Sequence, residues 1–164
     1  MMNRLSMSKS AKKPDPVITV DPEMERLCTI RKFGLPDMPL WGPKMLARLS
    51  VEHPHISQQA MHGRMVQWMS GNTYKFIRNE LSVGVARAMT EELDSAPTVH
   101  VFLLWFEQDR DGYAGARAIC RDFENWARML RAHRIRYEGS IDWKSPRNEE
   151  VFDEMVEIHF KGIG

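Results

Sequence analysis

The chain has 164 residues, enough for one domain whose buried core needs no disulfide or metal to hold it together. Its hydrophobic fraction of 43% and charged fraction of 27% are typical of a globular protein, and a formal net charge of +1 excludes a strong field for nucleic acid or an anionic membrane. Its two cysteines, Cys28 and Cys120, match neither a zinc-site spacing nor a disulfide framework. We therefore expect buried thiols in a reducing compartment, and no metal.

The first 22 residues are the least periodic part of the chain, a mixture of Ser, Lys, Pro and Met. We predict a basic extended arm over residues 1–22, followed by a single domain over residues 23–164. Composition favours a solvated tail, although Lys9, Lys12 and Lys13 could contact an acidic partner. The start lacks the apolar stretch of a signal peptide, so we expect a cytoplasmic protein, or one packaged from the cytoplasm.

The next segments predict one strand and two helices. Arg26–Phe33 alternates and contains β-formers, which predicts a strand. Pro43–His53 predicts a helix with proline in its first turn. Residues 56–72 predict a second helix that ends at Gly71 and Asn72, with its methionines and tryptophan in the core rather than in a ligand site.

The middle of the chain predicts a strand meander. Residues 73–89 read as two strands around the polar stretch Arg78–Glu80. Residues 97–107 form an almost continuous apolar run, which is typical of a strand buried on both faces at the centre of a sheet. A helix, a strand over residues 134–143 and a last helix from Ser145 follow. This order indicates an α/β or α+β domain with helices covering a sheet.

The stretch after the central strand switches to a period of 3.6 residues. We predict a turn over Arg110–Ala116 and a helix that begins near Gly115. The apolar positions of this helix lie on one side, and its arginines with Glu124 on the other. The residues that we expect to be buried are Trp105, Phe123, Trp126 and Phe152.

The segment FLLWFEQDRDGYAGARAICRDFENWARMLRAHRIRYEGS therefore joins a strand, a glycine-bearing turn, a long helix and a second strand. This order resembles the fourth strand, pyrophosphate loop, long helix and fifth strand of the GNAT superfamily, the acetyl-CoA-dependent N-acyltransferases. The likeness in element order extends from about Thr29 to Gly164. It implies a GNAT-like mixed, mainly antiparallel sheet with helices on both faces.

The family's loop carries Arg or Gln, two residues, Gly, one residue, and Gly or Ala. Aligned at Arg110, this chain has Tyr113 at the first glycine position and Gly115 at the last. Aligned at Asp109, it matches glycine and alanine but loses the basic residue. By resemblance, the residues that would hold acetyl-CoA are Arg110, Gly112, Tyr113, Ala114, Gly115 and Ala116.

The resemblance also implies a catalytic base and a catalytic acid. Backbone N–H groups at the start of the helix would hold the pyrophosphate, and amides of the splayed fourth strand would stabilise the oxyanion. Glu107, just after that strand, is the candidate base, with Asp109 as the neighbouring carboxylate. The family's acid is a Tyr, where this chain has Phe160. The family also continues into two further strands beyond the position of Gly164.

Other polar groups have simpler explanations. His53 and His55 lack a third ligand at motif spacing, which favours a turn over a metal site. The arginines of the long helix alternate with acids, which favours a solvated face over a phosphate site. The hydroxyls of Tyr113 and Tyr137 are further candidates, and the sequence gives neither a position beside a substrate.

Two functions follow. The first is a catalytically degenerate GNAT-fold protein of assembly or interaction, similar to small bacteriophage-encoded GNAT-like proteins, some of which are associated with virions. Its partners would be other protein chains, contacted through the arm and the sheet edge in an oligomer or larger assembly, with no specific nucleic acid and no membrane. The alternative is an active acetyl-CoA-dependent N-acetyltransferase acting on an amine of a small molecule or protein.

Overall fold

The computed structural model describes residues 21–137, apart from residues 91, 92 and 94. The elements in this part of the chain are α1 (Pro22–Cys28), β1 (Arg31–Lys32), α2 (Met38–Glu52), α3 (Gln58–Met69), β2 (Tyr74–Arg78), β3 (Ser82–Met89), β4 (Thr98–Phe106), α4 (Arg110–Met129) and β5 (Arg134–Tyr137). A single 3₁₀ turn, Leu35–Asp37, leads into α2.

The five strands form one sheet in the order β1-β2-β3-β4-β5. The first four strands pair antiparallel, while β4 and β5 are parallel and connected by α4. Helices α1 and α4 lie on one face of the sheet, and α2 and α3 cover the other. The mixed, mainly antiparallel sheet with helices on both faces is confirmed, as is the position of β4 inside the sheet.

The inward face of α4 is the centre of the larger core. Ile119, Phe123 and Ala127 are fully buried against the sheet, as the 3.6-residue period predicts. Gly84 of β3 lies beneath them, where a Cβ atom would approach Ile119 and Phe123 within 2.7 and 2.8 Å. The missing side chain therefore lets the helix lie close to the strand.

The expected burial of four aromatic side chains is confirmed for one of them. Phe123 is fully buried, whereas Trp105 and Trp126 are only half-buried at the borders of the two cores. Phe152 lies outside the described residues. Glu124, which we expected on the outer face, is only 9% exposed and makes an ion pair with Arg128 at 2.6 Å.

The predicted strand Arg26–Phe33 is wrong over its first half. Pro22–Cys28 forms a helix, because the Asp21 carboxylate accepts a hydrogen bond from the backbone N–H of Glu23 and Pro22 occupies the first turn. Only Arg31–Lys32 pairs as a strand. Pro22, which we assigned to the arm, is thus the first residue of α1.

Helix α2 begins five residues earlier than predicted, at Met38. Pro39 occupies its first turn, which leaves Pro43 inside the helix rather than at its start. The predictions for α3, for the two strands around Arg78–Glu80 and for the strand that begins at residue 134 are confirmed as far as Tyr137. The arm up to residue 20 and everything from residue 138, including the segment predicted as the last helix, lie outside the described residues.

Candidate functional site

Strand β4 carries a β-bulge in its middle. Val85 pairs with Leu103 and Ala86 with Val101, so Phe102 is an extra residue on β4. As a result, Phe102 and Leu103 both face α2 and α3 instead of alternating between the two faces. A bulge takes backbone N–H and C=O groups out of the ladder between β3 and β4.

The N-terminus of α4 is capped by a side chain of the protein. The Asp109 carboxylate accepts a 2.7 Å hydrogen bond from the backbone N–H of Gly112, and the helix begins at Arg110. The turn predicted over Arg110–Ala116 is therefore wrong, because Asp109 is an N-cap that the periodicity did not reveal. Gly112 thus lies inside the helix rather than in a turn before it.

The space where a side chain would begin on each glycine of this segment is already occupied by other protein atoms. A Cβ atom on Gly112 would lie 2.0 Å from the carbonyl oxygen of Glu107. A Cβ atom on Gly115 would lie 2.6 Å from the Cβ of Leu81, in the turn between β2 and β3. Each glycine permits a close approach by the chain's own backbone or side chains, which is a packing role.

The other residues of the predicted acetyl-CoA site do not converge on an open cradle. Tyr113 is fully buried, packs against Phe106 at 4.9 Å between ring centroids, and donates a hydrogen bond to the Gln108 side chain. Ala116 is fully buried, Ala114 is half-buried, and Arg110 is exposed. These residues occupy successive positions around a regular helical turn.

The Asp109 cap bears directly on how coenzyme A could bind at the start of α4. A pyrophosphate would compete with the Asp109 carboxylate for the same N–H group, and Asp111 adds a second negative charge to the first turn. Only a three-residue connection, from Glu107 to Asp109, separates β4 from the helix. A phosphate-binding loop needs backbone N–H groups that are not already occupied.

Glu107 has a more open position than the other predicted residues. Its side chain is exposed at the carboxyl end of β4 and lines a cavity of about 290 Å³ together with Arg48 of α2. The half-buried Trp105 and the side chain of Gln108 complete this cavity. The geometry brings a carboxylate to an open surface beside the central strand, where a base could act.

The two histidines of the HPH stretch lie at the end of α2 and just after it. The rings of His53 and His55 are 6.2 Å apart, and His53 caps the end of α2. Over the described ranges, no group of three His, Cys, Asp or Glu side chains could hold a metal ion. Likewise, the described helices include none that is both long and apolar enough to cross a membrane.

The hydroxyl of Tyr137 and the thiol of Cys120 lie together in the core under α4. Burial raises the pKa of Cys120 to about 12 and raises the pKa of Tyr137 well above its usual value. Both groups are thus protonated and enclosed at neutral pH. The prediction of a buried thiol is confirmed for Cys120, while Cys28 is only half-buried.

An aromatic cavity on the opposite face was not predicted from the sequence. It lies over β2, β3 and β4, at the ends of α2 and α3, and has a volume of about 270 Å³. Its walls include Trp68, Tyr74 and Phe102. The sequence placed the tryptophan in the core, and only the bulge in β4 turns Phe102 to this face.

Comparison with solved structures supports the fold. A probable acetyltransferase superposes with a TM-score of 0.59 at 11% identity, over 77% of this chain and 87% of its own. The aminoglycoside 6'-N-acetyltransferase AAC(6')-IG from Acinetobacter haemolyticus gives 0.55 at 13% identity, over 83% and 92%. Aminoglycoside N-acetyltransferase AAC(6')-Iy, solved in complex with CoA, gives 0.53 at 12% identity, over 83% and 89%.

The sequence itself carries no comparable signal, since no protein-family model and no curated protein matches it. At 11–13% identity, the structural likeness shows that this chain has the fold of GNAT acetyltransferases.

Proposed function

We propose that this chain is a GNAT-fold protein that acts by associating with other protein chains and does not transfer an acetyl group. The observation that carries this proposal is the capped start of α4, where the Asp109 carboxylate accepts a hydrogen bond from the N–H group of Gly112 and the backbone carbonyl of Glu107 packs against the same glycine. In the family, the pyrophosphate would bind at this helix start. In our proposal, the same groups instead make contacts within the chain that stabilise its fold.

The partner surfaces that we propose are the arm over residues 1–22 and the sheet edge beyond β5. In the described part of the chain, apolar groups on α2 add to them: Leu40 is 64% exposed and Val51 is 68% exposed. Leu35 precedes this helix, is 59% exposed and lines an apolar cavity of about 410 Å³ with Pro39 and Pro43. Exposed apolar patches favour protein–protein contact, and a bacteriophage virion is the setting that the resemblance suggests.

The deciding experiment is titration of the full-length protein with CoA and acetyl-CoA by calorimetry, together with acetyl transfer to a panel of amines. We expect no binding up to about millimolar ligand and no transfer. Asp109→Asn removes one negative charge from the proposed phosphate position, and we expect it to bind no CoA either. Micromolar binding by the unaltered protein would overturn the proposal.

The second candidate, an active N-acetyltransferase, is favoured by a different observation. The bulge at Phe102 releases backbone groups in the middle of β4, and Glu107 lies on an open surface at the end of the same strand. Acetyl-CoA would be its donor, and an amine its acceptor. Under this alternative, Asp109→Asn should strengthen CoA binding and Glu107→Gln should abolish transfer while leaving CoA binding intact.

A further inference from the structure

The aromatic cavity over β2, β3 and β4 has a specific internal order. Trp68 stacks on Tyr74 with ring centroids 4.8 Å apart and planes tilted by only 15°. Phe102 meets both rings edge-on, at 5.4 and 5.7 Å. Aromatic surfaces in these arrangements hold one another in place. All three side chains are only half-buried, so part of this surface faces the cavity.

The floor of the cavity is a row of three directly paired residues, Tyr74, Arg87 and His100. The half-buried Arg87 lies over the Tyr74 ring at 5.8 Å and donates one hydrogen bond to its hydroxyl at 3.1 Å. Among the described residues, Arg87 has no carboxylate partner. A guanidinium group has five N–H donors, and within the described part of the chain the side chain of Arg87 donates only to the Tyr74 hydroxyl.

The ion pairs of Arg78, on the neighbouring strand, show how a half-buried arginine of this sheet is usually matched. Arg78 lies on the neighbouring strand with a similarly half-buried side chain, and it is paired with Asp37 at 2.8 Å and with Glu80 at 3.0 Å. Charges taken out of water are normally matched in this way. At Arg87 the described residues place no such partner anion. A cavity lined by aromatic rings lies beside its guanidinium group instead.

We propose that this cavity binds a small planar organic anion, an aromatic ring that carries a carboxylate. The ring would pack against Trp68 and Phe102, and the carboxylate would accept hydrogen bonds from the Arg87 guanidinium. A volume of about 270 Å³ accommodates a single ring with one polar substituent. The site lies on the face opposite α4 and includes none of the residues proposed by resemblance to hold acetyl-CoA.

The competing ligand is an amine, because Glu52 also lines the cavity. Glu52 is exposed in the last turn of α2, where water screens its charge, whereas Arg87 is half-buried at the floor. The rings also already face one cation, since the guanidinium lies over Tyr74. Both features favour an anion over a second cation.

The test uses the full-length protein and three probes of matched shape: benzoate, neutral benzamide and cationic benzylamine. Binding is followed by saturation-transfer NMR and by tryptophan fluorescence, with Trp68→Phe to assign the fluorescence change to this cavity. We expect benzoate to bind at least about tenfold more tightly than benzamide and benzylamine, because only benzoate makes charged hydrogen bonds with Arg87. Preference for benzylamine, or equal binding of all three, would overturn the proposal.

Arg87→Met tests the residue, and Arg64→Met is its matched control, because Arg64 is exposed on α3 and does not line the cavity. We expect Arg87→Met to lose benzoate binding by at least about tenfold and the control to retain it. Arg87→Lys keeps the charge without the planar fork and should bind with intermediate affinity, which also covers the case that the Met variant does not fold. Unchanged benzoate binding in a folded Arg87→Met or Arg87→Lys variant would contradict the assignment.

Discussion

Asn79 shows how much a single side chain contributes to the position of α4. Its Oδ1 accepts hydrogen bonds from the N–H groups of Leu81 and Ser82 and from the Ser82 hydroxyl, at 2.8–2.9 Å. Its Nδ2 donates to the carbonyl oxygen of Gly115 at 2.9 Å. Asn79 is fully buried, so this set of bonds fastens the turn between β2 and β3 to the helix.

We expect Asn79→Ala to lower the free energy of unfolding by roughly 2–4 kcal/mol, because several buried groups would lose their partner at once. Urea denaturation measures the change. Asn125→Ala is the control, since Asn125 is exposed on α4 and should change stability by less than about 0.5 kcal/mol. Equal losses in the two variants would show that the Asn79 bonds do not stabilise the fold.

Gly112 and Gly63 should respond to alanine in opposite directions. At Gly112 the new Cβ would lie 2.0 Å from a backbone oxygen, so Gly112→Ala should destabilise the protein by at least about 1–3 kcal/mol. At Gly63, inside α3, nothing lies within 4 Å, and Gly63→Ala should stabilise it by about 0.5–1 kcal/mol. Thermal unfolding of both variants tests the pair. A stable Gly112→Ala variant would mean that the start of α4 is free to move away from Glu107.

The sequence could not reveal the packing role of these glycines, for a physical reason. A glycine that admits a phosphate and a glycine that admits a neighbouring strand both need a missing Cβ, so the residue type cannot distinguish them. The distinction depends on Asp109, whose carboxylate occupies the helix start. The sequence shows an aspartate there, but whether it caps the helix or faces solvent depends on backbone geometry.

At the scale of elements, periodicity predicted the faces of α4 better than its ends. The burial of Ile119 and Phe123 follows directly from the apolar positions. The helix starts at Arg110 and not near Gly115 as predicted, because glycines such as Gly112 and Gly115 are typical of turns and hide the helix start in the sequence. The bulge at Phe102 was missed as well, since an apolar run has no alternation from which an extra residue could be read.

Phe123→Ala tests the orientation of α4. Phe123 is fully buried against β3, so truncation should cost roughly 3–5 kcal/mol of unfolding free energy. Met129→Ala, at the end of the same helix, removes a side chain that is 80% exposed and should cost less than about 0.5 kcal/mol. Chemical denaturation gives both values. A loss below about 1 kcal/mol for Phe123→Ala would place that face of the helix away from the core.

At the scale of the whole molecule, the order of elements was predictable and the chemistry was not. The buried strand followed by an amphipathic helix and a second strand implies a parallel crossover, which β4, α4 and β5 form. The residues of the predicted acetyl-CoA site also stand in the expected place along the chain. Their function depends on contacts within a few ångströms, such as that between Asp109 and Gly112, which the order of elements does not determine.

The two proposed functions predict different effects of deleting the arm. Residues 1–20 offer little apolar surface by composition, so the assembly proposal requires that a partner chain bind them. If the protein acts by assembly, deletion of residues 1–20 should reduce oligomerisation or incorporation into particles, while thermal unfolding of the remaining domain stays close to that of the full chain. If the protein is an enzyme, the arm should be dispensable for transfer of an acetyl group from acetyl-CoA to an amine. The test compares the sedimentation and the acetyl-transfer activity of the full chain with those of the chain lacking residues 1–20. Unchanged association together with robust acetyl transfer would contradict the assembly proposal and favour the acetyltransferase.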